Sequence, residues 1–249
     1  MPEDPVPDLR QQRGPHAFVE DLDAPRLDPD DHHHLAKSLR LRDGDSLTIS
    51  DAQRRWRCAS FAASPSPIGP IIVEPTPEWP ITIAFALTKS GKPELVVQKA
   101  TELGVDHIVV FGGDHSVPRW DSDKRRKAQQ RLDRVAREAA MQSRRVDLPQ
   151  VEIVDDLAAV TDQVEAGRRG PLARADFVPS GPDSGTAQSS DAARGARAIA
   201  VGPEGGWSEQ ERLTLPATFD LGPTVLRSET AALAAVFQLT SLRQMGRSD

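Results

Sequence analysis

The stretch AIAVGPEGGWSEQE, residues 198–211, joins an apolar run to a glycine-rich turn and the opening of a helix. Ala198, Ile199, Ala200 and Val201 have the length and character of a short buried strand. Gly202, Gly205 and Gly206 can take backbone angles closed to other residues and leave no side chain between main chain and ligand. Ser208 and Glu211 stand at the S-x-x-E spacing of a capping box, which predicts a helix from Glu209. Strand, glycine loop and helix in succession form the repeating unit of α/β sheets, and such sheets take ligands beyond the carboxyl ends of their strands.

Working outward, the same grammar recurs from residue 81. ITIAFAL (81–87), DHIVVFGG (106–113) and VEIV (151–154) read as strands. KPELVVQKATELG supplies a helix with Pro93 near its start and Gly104 past its end. Asp121 or Ser122 caps a long helix carrying Ala128, Leu132, Val135, Ala136, Ala139 and Ala140 at helical spacing. DLAAVTDQVEAG reads as a further helix, ADFV (175–178) as a weak strand, and the small, polar 179–197 as a disordered loop. After the central motif come a strand at TFDLG and a final helix capped by Ser228 and running to about Arg243. Near-continuously apolar strands alternating with helices imply a parallel sheet covered on both faces. Before residue 75 the pattern differs. Asp28 and Pro29 open a helix carrying Leu35, Ala36 and Leu39, ended by the RDGD turn. Leu47 with Ile49, Trp56 with Cys58, and IIVEP then suggest a small β-rich region. The prolines of SPSPIGP and EPTPEWP place a boundary near 75–80.

The 249 residues suffice for one large domain or two small ones. A single cysteine, Cys58, rules out an intrachain disulfide and suits a reducing compartment. The acidic, proline-rich start MPEDPVPDLR is unlike a signal peptide, and no apolar run is long enough to span a bilayer, so a soluble cytoplasmic protein without membrane attachment is expected. The net charge of −6 conceals segregation: acid gathers at residues 3–31, while Lys124, Arg125, Arg126, Lys127, Arg131, Arg134, Arg137, Arg144 and Arg145 crowd one helix and its exit.

Two strand ends carry unusual chemistry, AVGPEGG (200–206) and LGPTVLRSET (221–230). Neither G-x-x-x-x-G-K-[ST] nor G-x-G-x-x-G is present, and Glu204 would repel a polyphosphate, so a ligand with positive charge or a neutral purine edge suits the loop better. His32, His33 and His34 point about 100° apart on a helix and cannot converge on one ion, so no metal is expected. No G-x-S-x-G marks a serine hydrolase. The basic helix beside a ligand loop suggests a nucleic-acid substrate. Scarce aromatics and the absence of tyrosine favour structured RNA over a stacked single strand.

HHHLAKSLRLRDGD, KSGKPELVVQKATELGVDHI, QSRR, AVGPEGGWSEQE and LGPTVLRSETAAL stand in this order along the chain. In these motifs it resembles the RsmE-type 16S ribosomal RNA uridine-N3 methyltransferases, S-adenosylmethionine-dependent enzymes of the SPOUT class. The resemblance runs from about residue 15 to the end. It implies an α/β fold in which a PUA-like β-barrel for RNA binding occupies 1–76, with 1–14 disordered. A SPOUT methyltransferase domain with a C-terminal trefoil knot would occupy 77–249, and the chain would form a homodimer. S-adenosyl-L-methionine would lie among three loops. These are formed by Phe177 and Val178; by Ala200, Val201, Gly202, Pro203, Glu204, Gly205 and Gly206; and by Leu221, Gly222, Val225 and Leu226. Main-chain groups of Ala200, Gly202, Leu221 and Leu226 would hold adenine and ribose.

Arg227 would stabilise the uracil anion, and Glu229 would orient Arg227 or take a proton, unless it is only a first-turn helix carboxylate. Arg144, counted with the catalytic residues, and Arg145 would grip RNA phosphate or the target base. His33, Lys37, Arg40 and Arg42 would contact 16S RNA within the small ribosomal subunit. Three departures from the family pattern stand out. GPHAFV replaces an arginine followed by aromatics, SRR replaces GRN, and the 179–197 loop is long. Two other readings are compatible with the residues: the same chemistry on another ribosomal or transfer RNA site, and a non-catalytic RNA-binding assembly protein.

Overall fold

A computed structural model describes residues 8–87, 93–116, 120–176 and 195–245. The chain divides into two compact units, one of residues 1–76 with 137–148 and one of 77–136 with 149–249.

In the first unit, β1 (His16–Phe18), β2 (Ser46–Ser50), β3 (Arg55–Ser60) and β4 (Ser66–Val73) form a four-stranded sheet in that order. β1 runs parallel to β2, and the other pairs are antiparallel. Among the described residues no pairing joins β4 back to β1. β4 takes in the SPSPIGP segment read above as a boundary; its prolines are tolerated because it is an edge strand. Asp28 caps α1 (Pro29–His33) by accepting from the Asp30 amide, and the helix continues as a π-helical turn over His34–Ser38. Only Leu35 of the expected apolar stripe is fully buried; Leu39 is 50% exposed. Residues 8–14, expected to be disordered, include a 3₁₀ turn at Leu9–Gln11 capped by Asp8, with Leu9 buried.

The second unit holds a six-stranded sheet built from β5 (Thr82–Ala86), β6 (His107–Phe111), β7 (Gln150–Ile153), β8 (Leu172–Ala175), β9 (Ala198–Val201) and β10 (Thr218–Phe219). Its order is β10-β8-β9-β5-β6-β7, with every pairing parallel. β8 lies at LARA, upstream of the expected ADFV strand. An arginine inside the strand hid it: Arg174 is 8% exposed, its guanidinium donating to the Leu215 carbonyl.

Alternation along the central strands sorts side chains by face. Ile83, Phe85, Ile108, Val110, Ile199 and Val201 enter the larger core, together with Val96, Val97 and Ala100 of α2 (Pro93–Glu102) and Ala232, Ala235, Val236 and Leu239 of α6 (Ser228–Met245). Ala84, Ala86, Ala198 and Ala200 face the other way, with Leu157, Val160 and Val164 of α4 (Leu157–Ala166) and with Trp207. Each fully buried Ile, Leu or Val side chain contributes about 1.5–3 kcal/mol. Ser208 and Glu211 close the expected capping box on α5 (Glu209–Thr214). Ser228 is the first residue of α6 rather than its cap, and the Ala231 amide donates to the Arg227 carbonyl. The long helix α3 (Ser122–Gln142) begins where Asp121 accepts from the Lys124 amide.

Candidate functional site

β8, β9 and β10 are parallel neighbours or near neighbours, so their carboxyl ends fall on one edge of the sheet. A cavity of about 410 Å³ opens there, bounded by all three ends. Of the expected cofactor residues, Val201, Gly202, Pro203, Glu204 and Gly206 line it from the glycine loop. Leu221, Gly222, Val225 and Leu226 line it from the following loop, and Arg227 completes that side. Phe177 and Val178 lie outside the described residues, as does most of the 179–197 segment.

Two expected residues do not line it. Ala200 is fully buried, its backbone paired on both sides with Ala84 and Arg174, so its main chain belongs to the sheet. A Cβ on Gly205 would come within 2.9 Å of His115 Cβ, so that glycine makes room for a protein side chain. Gly202 is comparable: a Cβ there would stand 2.9 Å from the Trp207 indole. Gly206, at φ +75° with open space around its Cβ position, is the loop glycine required by backbone conformation.

Sequence reasoning missed four groups in this cavity wall or behind it. Trp207 stacks on Phe111 at 6.3 Å between ring centroids and donates its indole N–H to the Ala175 carbonyl at 2.8 Å, tying β8 to the glycine loop. Asp176 lines the cavity and accepts from Arg174 at 3.2 Å and Arg212 at 2.6 Å. Asp220 also lines it and accepts from the Gly222 amide at 2.9 Å, an Asx turn that its spacing to Gly222 could have signalled. His115 reaches the outside of the glycine loop from the β6 side. The cavity thus carries the carboxylates Asp176, Glu204 and Asp220 and one arginine, Arg227, which is exposed and has no ion pair among the described residues. Glu229 is half-buried in the first turn of α6 and does not line the cavity.

The basic helix is largely charge-compensated. Lys124 pairs with Asp121, Arg126 with Asp123, Arg131 with Glu94 and Arg125 with Asp155, whose carboxyl is held below its ordinary pKa by the Arg125 hydrogen bond. Lys127 and Arg134 are the exposed cations of α3 without an ion pair among the described residues.

In the first unit, the Arg144 guanidinium donates to the carbonyls of Leu9 at 3.2 Å, Gln12 at 2.5 Å and Gly14 at 2.5 Å. Arg145 is 11% exposed and bonded to Asp147, which also holds Arg54. This bonding weighs against the expectation that Arg144 and Arg145 grip RNA, since three of the five Arg144 donors and the Nε and Nη2 groups of Arg145 are engaged within the unit. His33, Lys37, Arg40 and Arg42 are exposed, while His32 stacks on Phe61.

A family model described as an RNA methyltransferase domain matches residues 74–240, and one described as an RNA methyltransferase PUA domain matches 27–59. The ribosomal RNA small subunit methyltransferase E of Mycobacterium bovis is 32% identical over 239 residues, covering 90% of this chain and 89% of that protein. Its Bacillus subtilis counterpart is 31% identical over 229 residues, covering 87% and 90%. The crystal structure of a ribosomal RNA small subunit methyltransferase E from Neisseria gonorrhoeae bound to S-adenosyl methionine shares the fold, with a TM-score of 0.70 at 24% identity over 92% of this chain and 98% of that one. The class is thus an RNA methyltransferase with a PUA domain, and within it this chain belongs to the ribosomal RNA small subunit methyltransferase E family.

Proposed function

We propose that this protein transfers a methyl group from S-adenosyl-L-methionine to N3 of a uridine in 16S ribosomal RNA, in the cytoplasm, as part of small-subunit RNA modification. The observation that carries the reading is the cavity at the ends of β8, β9 and β10, lined by two of the three loops that the family resemblance assigns to the cofactor. Its volume of about 410 Å³ lies in the range of small-molecule sites. Val201, Leu221 and Leu226 offer apolar surface to a purine, and Glu204 and Asp220 place carboxylates on the same wall, while Asp176 is taken up by Arg174 and Arg212. S-adenosylmethionine supplies an electrophilic methyl on a positively charged sulfur.

Uracil N3 must give its proton to solvent before it acts as a nucleophile, and Arg227 stabilises the resulting anion from the cavity rim. Glu229 sits where a helix N-terminus favours a carboxylate, which supports a role in fixing Arg227 through the start of α6. His33, Lys37, Arg40 and Arg42 contact RNA from the first unit, and Lys127 and Arg134 add phosphate contacts from α3.

In this reading residues to about 76 form a PUA-like RNA-binding barrel and 77–249 the SPOUT domain. A C-terminal knot is supported by the route of the chain. From β9 it crosses beyond β8 to β10, and α6 then returns to pack on β5 and β9. A homodimer is supported by exposed apolar residues on α6: Phe237, Leu242 and Met245 are 61%, 50% and 61% exposed.

Calorimetry with S-adenosylmethionine, followed by methyl-transfer assays on isolated small subunits, 16S RNA and transfer RNA, tests the proposal. Binding together with N3-methyluridine in 16S RNA is expected. Absence of binding at millimolar cofactor overturns the enzyme, and methylation of transfer RNA alone overturns the substrate.

A further inference from the structure

The turn after β6, Gly112–Ser116, lies outside the motifs quoted above for the family resemblance, yet Gly113 and His115 touch the glycine loop and Asp114 touches the helix start that follows it. Its ends are closed on each other: the Ser116 amide donates to the Gly113 carbonyl at 2.9 Å and the Gly113 amide to Ser116 Oγ at 3.0 Å. The Pro203 ring packs so closely on Gly113 that a Cβ there would stand 3.1 Å from Pro203 Cδ. The Asp114 amide donates to Glu211 Oε1 at 3.1 Å, and its carboxylate accepts from Ser208 Oγ at 2.5 Å. Glu211 Oε2 accepts from the Ser208 amide at 2.8 Å, so this buried carboxylate joins the turn to the start of α5.

His115 makes the contact with most leverage. Its Nδ1 lies 3.1 Å from the carbonyl oxygens of both Gly205 and Gly206. Two acceptors face that nitrogen, so it carries the hydrogen and donates to both. Peptide planarity then transmits the constraint: holding those two carbonyls fixes the planes that carry the Gly206 and Trp207 amides. Gly206 and Trp207 are both cavity wall. The wall is therefore set from behind by a side chain that does not line the cavity.

We infer that the Gly112–Ser116 turn is a brace for the cofactor loop and that His115 is a positioning residue, holding two wall peptides in binding-ready orientation before any ligand arrives. The inference rests on the cofactor reading above. It assigns His115 no contact with substrate or cofactor and no proton transfer. Because His115 is exposed, its truncation leaves no hole in the core.

The test compares His115→Ala and His115→Asn with the unaltered protein. Asparagine places an amide N–H where Nδ1 stands and so can restore the bond. Amide exchange over residues 202–208 is read in the ligand-free chain, and S-adenosylmethionine affinity by calorimetry. His115→Ala should exchange at least about tenfold faster over that segment and bind cofactor about tenfold more weakly, with turnover at saturating cofactor within about twofold. His115→Asn should recover most of both losses. Unchanged exchange, faster exchange with unchanged affinity, or an asparagine variant no better than alanine overturns the brace. A wild-type chain without cofactor affinity overturns the cofactor reading instead, and that appears before any variant is compared.

Discussion

Arg227 and Arg144 look alike in the sequence, each an arginine in a motif beside a helix end, and they differ in what their donors already hold. Arg227 sits exposed on the cavity rim with no ion pair among the described residues. Arg144 gives its guanidinium to three main-chain carbonyls of residues 9–14, in a left-handed backbone conformation at φ 56°. A guanidinium has five N–H donors in a fixed fork, so one that already satisfies three carbonyls is held in place by the chain and keeps only two donors for any other acceptor. The functional assignment of an arginine follows from its unfilled valence rather than from its motif.

The sharpest separation of the two comes from truncation. Arg227→Ala should lower turnover by about 10²–10³-fold, the loss typical of one electrostatic donor to a developing anion, with little change in cofactor affinity or melting temperature. Normal turnover in that variant would erase the contrast from one side. Arg144→Ala should instead cost about 2–4 kcal/mol in denaturant unfolding, because charge-assisted bonds are strong and three carbonyls lose their donor. Its turnover per folded molecule should be unchanged; a turnover defect without a stability loss would return Arg144 to the chemistry.

The surroundings of Arg144 give the first unit a pH signature. His16 is 2% exposed and bonded through Nδ1 to Thr48 Oγ1 at 2.9 Å. Burial, reinforced by the Arg144 charge, lowers its pKa from 6.5 to about 4. The unfolded chain therefore takes up this proton first, so the contribution is complete above pH 6.5 and is lost as pH falls toward 4. The loss is on the order of 3 kcal/mol across that window. Unfolding free energies at stepped pH should show this slope and His16→Asn should flatten it; an equal slope in both removes His16 as the cause. The smallest expected effect belongs to the cavity. Gly202→Val should weaken cofactor binding about tenfold while costing about 1–3 kcal/mol of stability through overpacking on Trp207. A variant that binds normally would show that the indole yields.

Much of this architecture was legible because local signals agreed. The near-continuous apolar runs of β5, β6 and β9, the Pro93 and Gly104 ends of α2 and the Ser208–Glu211 box each point to one conformation, and each is found. β8 was displaced because Arg174 solves by hydrogen bonding a burial that would otherwise be costly for a charged side chain. The IIV end of β4 was expected, whereas its first half was hidden by prolines that only an edge position excuses. For the site, the two loops were visible as glycine beside proline at strand ends, whereas Asp176, Trp207 and His115 enter through contacts made far along the chain. Pairings such as Trp207 with Ala175 or His115 with Gly205 leave no short-range spacing to read.

The indole lodged against Gly202 has a consequence for how such chains can diverge. Two positions five apart share one small volume, so the size permitted at the first depends on the size present at the second. A descendant that exchanged tryptophan for a compact aliphatic residue would be free to carry a methyl at 202. One that kept the double ring could not, and selection on either position would act through its neighbour.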